Sequence, residues 1–240
     1  MTKCSVFPLP GNEYYTEYRN ALDQLHREGD LPAFEKSNGD KWWFINGKQH
    51  REGGLPAIDG ADGNKSWYVN GVYHRDGGLP AIDWVIGFYG GLCYLKEWWL
   101  NGKRHRDDGL PAIDCGDGTR EWWVNGLRHR DNGLPASERE NGTKAWYVNG
   151  LRHREGGLPA VERENGTKTW WWLNGKLLTN DERLAYISFC QKMKEKKRIR
   201  AQKKIYFWWI QICYDMEHHS GCGIRMARRN LDVFESMMKT

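Results

Sequence analysis

The chain has 240 residues and a formal net charge of +5, with 14 tryptophans and 28 glycines. That length supports one large domain or two small ones around a buried core. No apolar stretch approaches the ~18–20 residues that span a bilayer, and the opening MTKCSVFPLPGNEYY lacks a signal-peptide core, so a secreted or transmembrane protein is not expected.

The charge surplus is local: residues 1–180 carry 23 Lys+Arg against 24 Asp+Glu, whereas residues 181–240 carry 13 against 7. Few large aliphatics beside many aromatics and glycines point to short strands and tight turns. Cys4, Cys93, Cys115, Cys190, Cys213 and Cys222 follow no repeat and are read as mostly reduced thiols of an intracellular protein.

After a lead-in of residues 1–21, the chain repeats itself over 22–178. L-P-A begins at Leu31, Leu55, Leu79, Leu110, Leu134 and Leu158, and N-G begins at Asn46, Asn70, Asn101, Asn125, Asn149 and Asn174. The step is 24 residues, except that the third unit gains seven and the sixth gains one. Three residues before each Asn stands a Trp (Trp43, Trp67, Trp98, Trp122, Trp146, Trp171). An aromatic follows it (Phe44, Tyr68, Trp99, Trp123, Tyr147, Trp172), and then an aliphatic (Ile45, Val69, Leu100, Val124, Val148, Leu173). Four and five residues after the Asn come His and Arg in the first five units, then an acid, a glycine and L-P-A.

N-G is the preferred two-residue hairpin turn, because both positions favour positive φ. A second turn, D-G or N-G, lies upstream at Gly39, Gly63, Gly118, Gly142 and Gly166, and the segment between, such as KSWYV, is β-prone. The Pro of L-P-A cannot donate to a ladder and should open a strand. Each unit is therefore expected to be two short strands. Six units then give a mainly β fold, an elongated single-layer antiparallel meander of about twelve strands, each unit resting on its neighbours. Strand alternation predicts that the Trp and the following aliphatic share a core face with the Leu of L-P-A. The intervening aromatics, Phe44, Tyr68, Trp99, Trp123, Tyr147 and Trp172, form a second ladder, read either as packing that stiffens the sheet or as a protein-contact surface.

The H-R-acid triplet invites a catalytic reading and does not sustain one. H-R-D at 74–76, 105–107 and 129–131 matches the start of a kinase catalytic loop, but G-L-P-A follows where a metal-holding Asn is needed, and no phosphate loop precedes it. Histidines two strands apart are separated by ~9.5 Å, too far to share a zinc with bonds of about 2.0–2.3 Å. The expected role is local: Arg51, Arg75, Arg106, Arg130 and Arg154 pair across units with the neighbouring acids, and the imidazole stacks or bonds to a backbone group. A polar edge that binds a partner is the alternative. The sequons at Asn141 and Asn165 sit on the upstream turn and are explained by it.

The seven extra residues of the third unit make an apolar hairpin arm around Gly90-Gly91. Trp84, Ile86, Phe88, Leu92 and Tyr94, in the insertion 84–95, either cover the sheet or anchor a neighbouring protein. From 179 to 240 the character changes to a basic, aromatic helical tail. T-N-D-E at 179–182 is a capping box, and a helix is expected from there to about Glu217, with Leu184, Ile187, Cys190 and Met193 as a stripe. Residues 192–204 carry eight basic side chains against one acid. Lys196, Lys197, Arg198, Arg200, Lys203 and Lys204, beside Trp208 and Trp209, are read as a solvated face, a nucleic-acid contact or a membrane-surface anchor. S-G-C-G at 220–223 should end the helix, with a second amphipathic helix after it. Cys213, His218, His219 and Cys222 are a weak zinc arrangement, since a spacing of five does not share a helix face; no metal or cofactor is assigned.

The pattern G-x-K-x-W-Y-V-N-G-x-x-H-R is similar to a variant of the MORN repeat. It resembles more closely the W-W-x-N-G-x-x-H-R-E-x-G-x-P-A arrays encoded by large DNA viruses, marseillevirus-like ones among them, in which an aromatic, basic segment such as KKIYFWWIQICYD follows the repeats. The resemblance covers roughly Leu22 to Thr240 and implies a β-hairpin scaffold for protein contacts, with no catalytic residues. It further implies a minor capsid or other virion-associated role, capsid or other virion proteins as partners, and location in the virion or host cytoplasm. A nucleic-acid- or membrane-binding adaptor acting through 192–209 is the alternative.

Overall fold

A computed structural model describes residues 2–88, 91–164 and 169–217, excepting the side chains of 12, 86, 88, 91, 92 and 210–217. The chain is mainly β, a 13-stranded antiparallel sheet followed by one helix, α1 (Asn180–Glu217). It divides after Thr179 into two compact units. Strands succeed one another across the sheet in chain order, as a meander requires. The lead-in supplies the first hairpin: Lys3–Pro8 pairs with Tyr14–Arg19, which pairs with Phe34–Lys36 and so covers the first edge of the array.

Each of the first five repeat units holds two hairpins where two strands were expected. In the second unit, Ile58–Asp59 and Lys65–Ser66 form a hairpin of the large sheet, and Tyr68–Val69 and Val72–Tyr73 form a separate two-stranded hairpin around N-G. Three turns with different backbone demands produce this. At the upstream turn Gly63 alone has positive φ (88°), and its N–H bonds the Gly60 carbonyl in a three-residue loop. At N-G both Asn70 (51°) and Gly71 (85°) are left-handed. A third turn, absent from the sequence reading, precedes L-P-A, where Gly77 (75°) and Gly78 (68°) are both left-handed. Its equivalents are Gly53-Gly54, Asp108-Gly109, Asn132-Gly133 and Gly156-Gly157.

The core differs from the expected one in two ways. The repeat tryptophans are buried (Trp43, Trp67, Trp98, Trp122 and Trp146), and the Ala of every L-P-A is completely so. The Leu of L-P-A is not: Leu31, Leu55, Leu79, Leu110, Leu134 and Leu158 are 44–50% exposed. Leu follows the turn and precedes Pro, outside the ladder, whereas Ala re-enters it, its carbonyl accepting the Trp N–H in each complete step from Trp43 to Trp146. Nor does the aliphatic share the Trp face, since Ile45, Leu100, Val124 and Val148 are exposed. The chain leaves the large sheet at the Trp, so the two-residue alternation does not carry across that break.

The insertion lengthens a hairpin of the large sheet. Ile82–Phe88 and Gly91–Glu97 pair from Ile82 opposite Glu97 to Phe88 opposite Gly91. The flanking strands reach only Ile82–Asp83 on one side and Leu95–Glu97 on the other, so the arm runs past both.

Candidate interaction surfaces and the repeated triplet

The three members of H-R-acid each have a defined structural task. The guanidinium lies flat on the Trp eight residues earlier: Arg51 over Trp43, Arg75 over Trp67, Arg106 over Trp98, Arg130 over Trp122 and Arg154 over Trp146, all at 3.6–3.7 Å from the ring centroid. The same arginines donate to the carbonyl of the L-P-A proline, as in Arg106 Nη1 to Pro111 O at 3.1 Å. The Trp Nε1–H in turn donates to the carbonyl of the third turn, Trp122 to Gly109 at 2.8 Å for example. Ring, guanidinium, proline carbonyl and turn carbonyl thus close one cluster per unit. Burial lowers the pKa of Arg75 and Arg106, with Asp83 and Asp114 acting in the opposite sense.

The histidine links units. Its Nδ1 accepts the N–H of the next unit's turn asparagine, from His26 and Asn46 to His129 and Asn149, at 3.1–3.2 Å. The link continues from His153 to Asn174 at 3.3 Å. An accepting Nδ1 leaves the proton on Nε2, which meets the acid two residues on in His74–Asp76, His105–Asp107 and His129–Asp131 at 2.9–3.0 Å. The neighbouring glycine N–H adds a second bond, Gly126 to Arg104 O at 2.9 Å. Each N-G tip therefore sits on the exit strand of the unit before. This corrects the expected pairing. The acid beside the arginine bonds the histidine, and the arginine finds its carboxylate elsewhere: Arg51 on Asp30, Arg130 on Glu138 and Arg154 on Glu162.

The second aromatic ladder is interleaved with arginine. Tyr68 packs on Tyr73, and Tyr73 on Trp99. Arg104 lies between Trp99 and Trp123, Arg128 between Trp123 and Tyr147, and Arg152 between Tyr147 and Trp172, at 4.8–5.9 Å. Glu97 and Glu121 fix two of these steps. Glu97 accepts from Trp99 Nε1 at 2.8 Å and Arg104 Nε at 3.0 Å, and Glu121 accepts likewise from Trp123 and Arg128. These carboxylates escaped the sequence reading, although Glu97/Arg104 and Glu121/Arg128 share a seven-residue spacing. Of the six ladder aromatics Tyr147 is buried, and Phe44, Tyr68, Trp99, Trp123 and Trp172 are half-buried.

On the side of the triplets, clefts open between consecutive third turns. One, of about 530 Å³, is lined by Leu79, Trp98, Leu100 and Leu110 with Asp76 and Asp107. The next, of about 470 Å³, repeats it one unit on with Leu110, Trp122, Val124 and Leu134. Among other thiols, burial first, and then nearby carboxylates and Cys93, push Cys115 up to about 11, so it is a poor nucleophile near neutral pH. Among the described residues no three His, Cys, Asp or Glu side chains gather as a metal-ligand group.

In the arm, Trp84 is half-buried and its Nε1–H donates to Ser66 Oγ at 3.0 Å, while Tyr94 is exposed. The side chains of Ile86, Phe88 and Leu92 lie outside the described residues. Helix α1 spans the expected range, and Lys196, Lys197, Arg198, Arg200, Lys203, Lys204, Trp208 and Trp209 are exposed on it. Arg198 is bonded to Glu195 at 2.7 Å. Within the predicted stripe Ile187 and Cys190 are half-buried, but Leu184 and Met193 are exposed. Among the described residues no helix is long and apolar enough to cross a membrane. The side chain of Cys213 and residues His218, His219 and Cys222, together with the Asn165 sequon and the second helix, fall outside what is described, whereas Asn141 sits in its turn and accepts the Thr143 N–H. The sequence matches no family model and no curated protein.

Proposed function

We propose that the protein is a non-enzymatic scaffold whose repeat array holds other proteins. The observation that carries this reading is the row of exposed leucines, Leu31 to Leu158, one per unit, flanking clefts of repeated shape. Apolar side chains held half outside the core at every step repeat an apolar contact point along the array. The polar residues that resembled catalytic equipment are engaged in stacking and unit-to-unit bonds, which supports a role without chemistry. Acids beside the clefts, Asp76, Asp107 and Asp131, are more than 80% exposed and favour basic partners. From the likeness of the repeat to arrays of large DNA viruses, we extend the proposal to a virion-associated protein with capsid or other virion proteins as partners. The test is affinity capture with the full chain against Leu79→Asp/Leu110→Asp/Leu134→Asp, read by quantitative mass spectrometry. The proposal expects capsid or other virion proteins to be captured by the full chain and lost in the variant; an unchanged set of captured proteins contradicts it.

A second reading, an adaptor for nucleic acid or membrane surfaces, rests on the exposed Trp208 and Trp209 at the end of the basic run of α1.

A further inference from the structure

We infer that the end of the repeat array carries a binding cleft for single-stranded nucleic acid, separate from the basic helix. The cleft encloses about 680 Å³, a nucleotide-sized space. It exists because of the side chains that floor it. On one face of the sheet Glu97, Ile113, Glu121, Ser137, Ala145 and Val161 are registered one opposite the next, apart from the bonded steps between them. At Ser137 and Ala145 this row falls to small side chains, and the space they leave is open.

The same change removes a negative charge. Arg104 and Arg128 each have a carboxylate seven residues earlier, Glu97 and Glu121, at 2.8–3.0 Å. Ala145 occupies that position for Arg152, whose Nε donates instead to the Tyr147 hydroxyl at 3.1 Å. Arg139 and Arg163, both exposed, line the same cleft with Arg128 and Arg152. Arg128 is already paired with Glu121, so three guanidiniums, those of Arg139, Arg152 and Arg163, face one cleft carboxylate, Glu164.

The arginines are combined with rings. Arg152 lies 4.9 Å from the Trp172 centroid and Arg163 lies 5.0 Å from that of Trp170. Guanidiniums bind phosphate oxygens in forked pairs, and guanidinium and indole planes offer stacking to any base. That combination of ring and cation suits bases joined by phosphates more than a lipid headgroup or a phosphoserine peptide, which supply phosphate without a planar partner.

The experiment is fluorescence anisotropy of the full chain with a labelled oligothymidylate of about 12 nucleotides. Arg139→Glu/Arg163→Glu alters exposed side chains only, and Ala145→Glu restores the carboxylate found at this position in the two preceding units. Each is expected to weaken binding at least about tenfold and to steepen no salt dependence, with the melting temperature preserved. Lys196→Glu/Lys197→Glu in α1 is expected to leave binding within about twofold. Binding lost in the helix variant but unchanged in both cleft variants overturns the proposal. So does the absence of oligonucleotide binding, or cleft-dependent binding to phosphatidylserine vesicles that exceeds binding to the oligonucleotide.

Discussion

Asp40 illustrates how single side chains tie one turn to the next. Burial works against its charge, but the Ala61 N–H at 2.9 Å, the Asn38 amide and Lys36 outweigh it, so its pKa is lowered. A carboxylate with a depressed folded pKa contributes stability that is present above its unfolded pKa of about 4 and is lost as pH falls through the folded value. Urea midpoints measured from pH 7 to pH 2 should therefore fall less steeply for Asp40→Asn than for the unaltered chain. The arginine of the triplet was visible in the sequence, but its partner was not. Arg106 and Trp98 are eight residues apart on opposite sides of an N-G turn, and nothing in a linear pattern says that the guanidinium lies on the ring rather than beside the adjacent acid.

Among the elements, the N-G hairpins were legible because a left-handed pair of residues is a strong local demand that few residue types meet. The third turn carried the same signal, in Gly77-Gly78 and Asn132-Gly133 for example. Its residues vary from Gly-Gly to Asp-Gly and Asn-Gly, and the sequence pattern takes the segment as a connection between strands. The division of each unit into two hairpins was not legible. Continuous β-prone runs such as KSWYV do not mark the Trp as the point where the chain leaves the large sheet, so alternation was carried one residue too far and put the leucines and aliphatics inside. Gly126 tests the hairpin geometry. Its φ is +84°, and an added Cβ would meet Lys103 first, at 3.6 Å, an ordinary contact. Gly126→Ala should cost about 1–2 kcal/mol through backbone conformation alone. Gly87→Ala, in open space on an extended strand, should cost nothing or stabilise slightly. Equilibrium urea unfolding of the two variants separates them.

For the molecule as a whole, the fold class, the repeat and the helical segment were readable from periodicity and composition. The surfaces left free to act were not, because they depend on which repeat residues the fold consumes. The ladder arginines have carboxylates at Glu97 and Glu121 and lack one at Ala145, a contrast that becomes meaningful only once the register is known. The central claim is that the H-R-acid triplet builds the array. Arg106 tests it most directly, through its stack on Trp98 and its bond to Pro111. Urea unfolding of Arg106→Ala should show a loss of about 2 kcal/mol from the stack and the carbonyl bond together, with Arg106→Lys recovering only part of it. A stability equal to that of the unaltered chain would contradict the account.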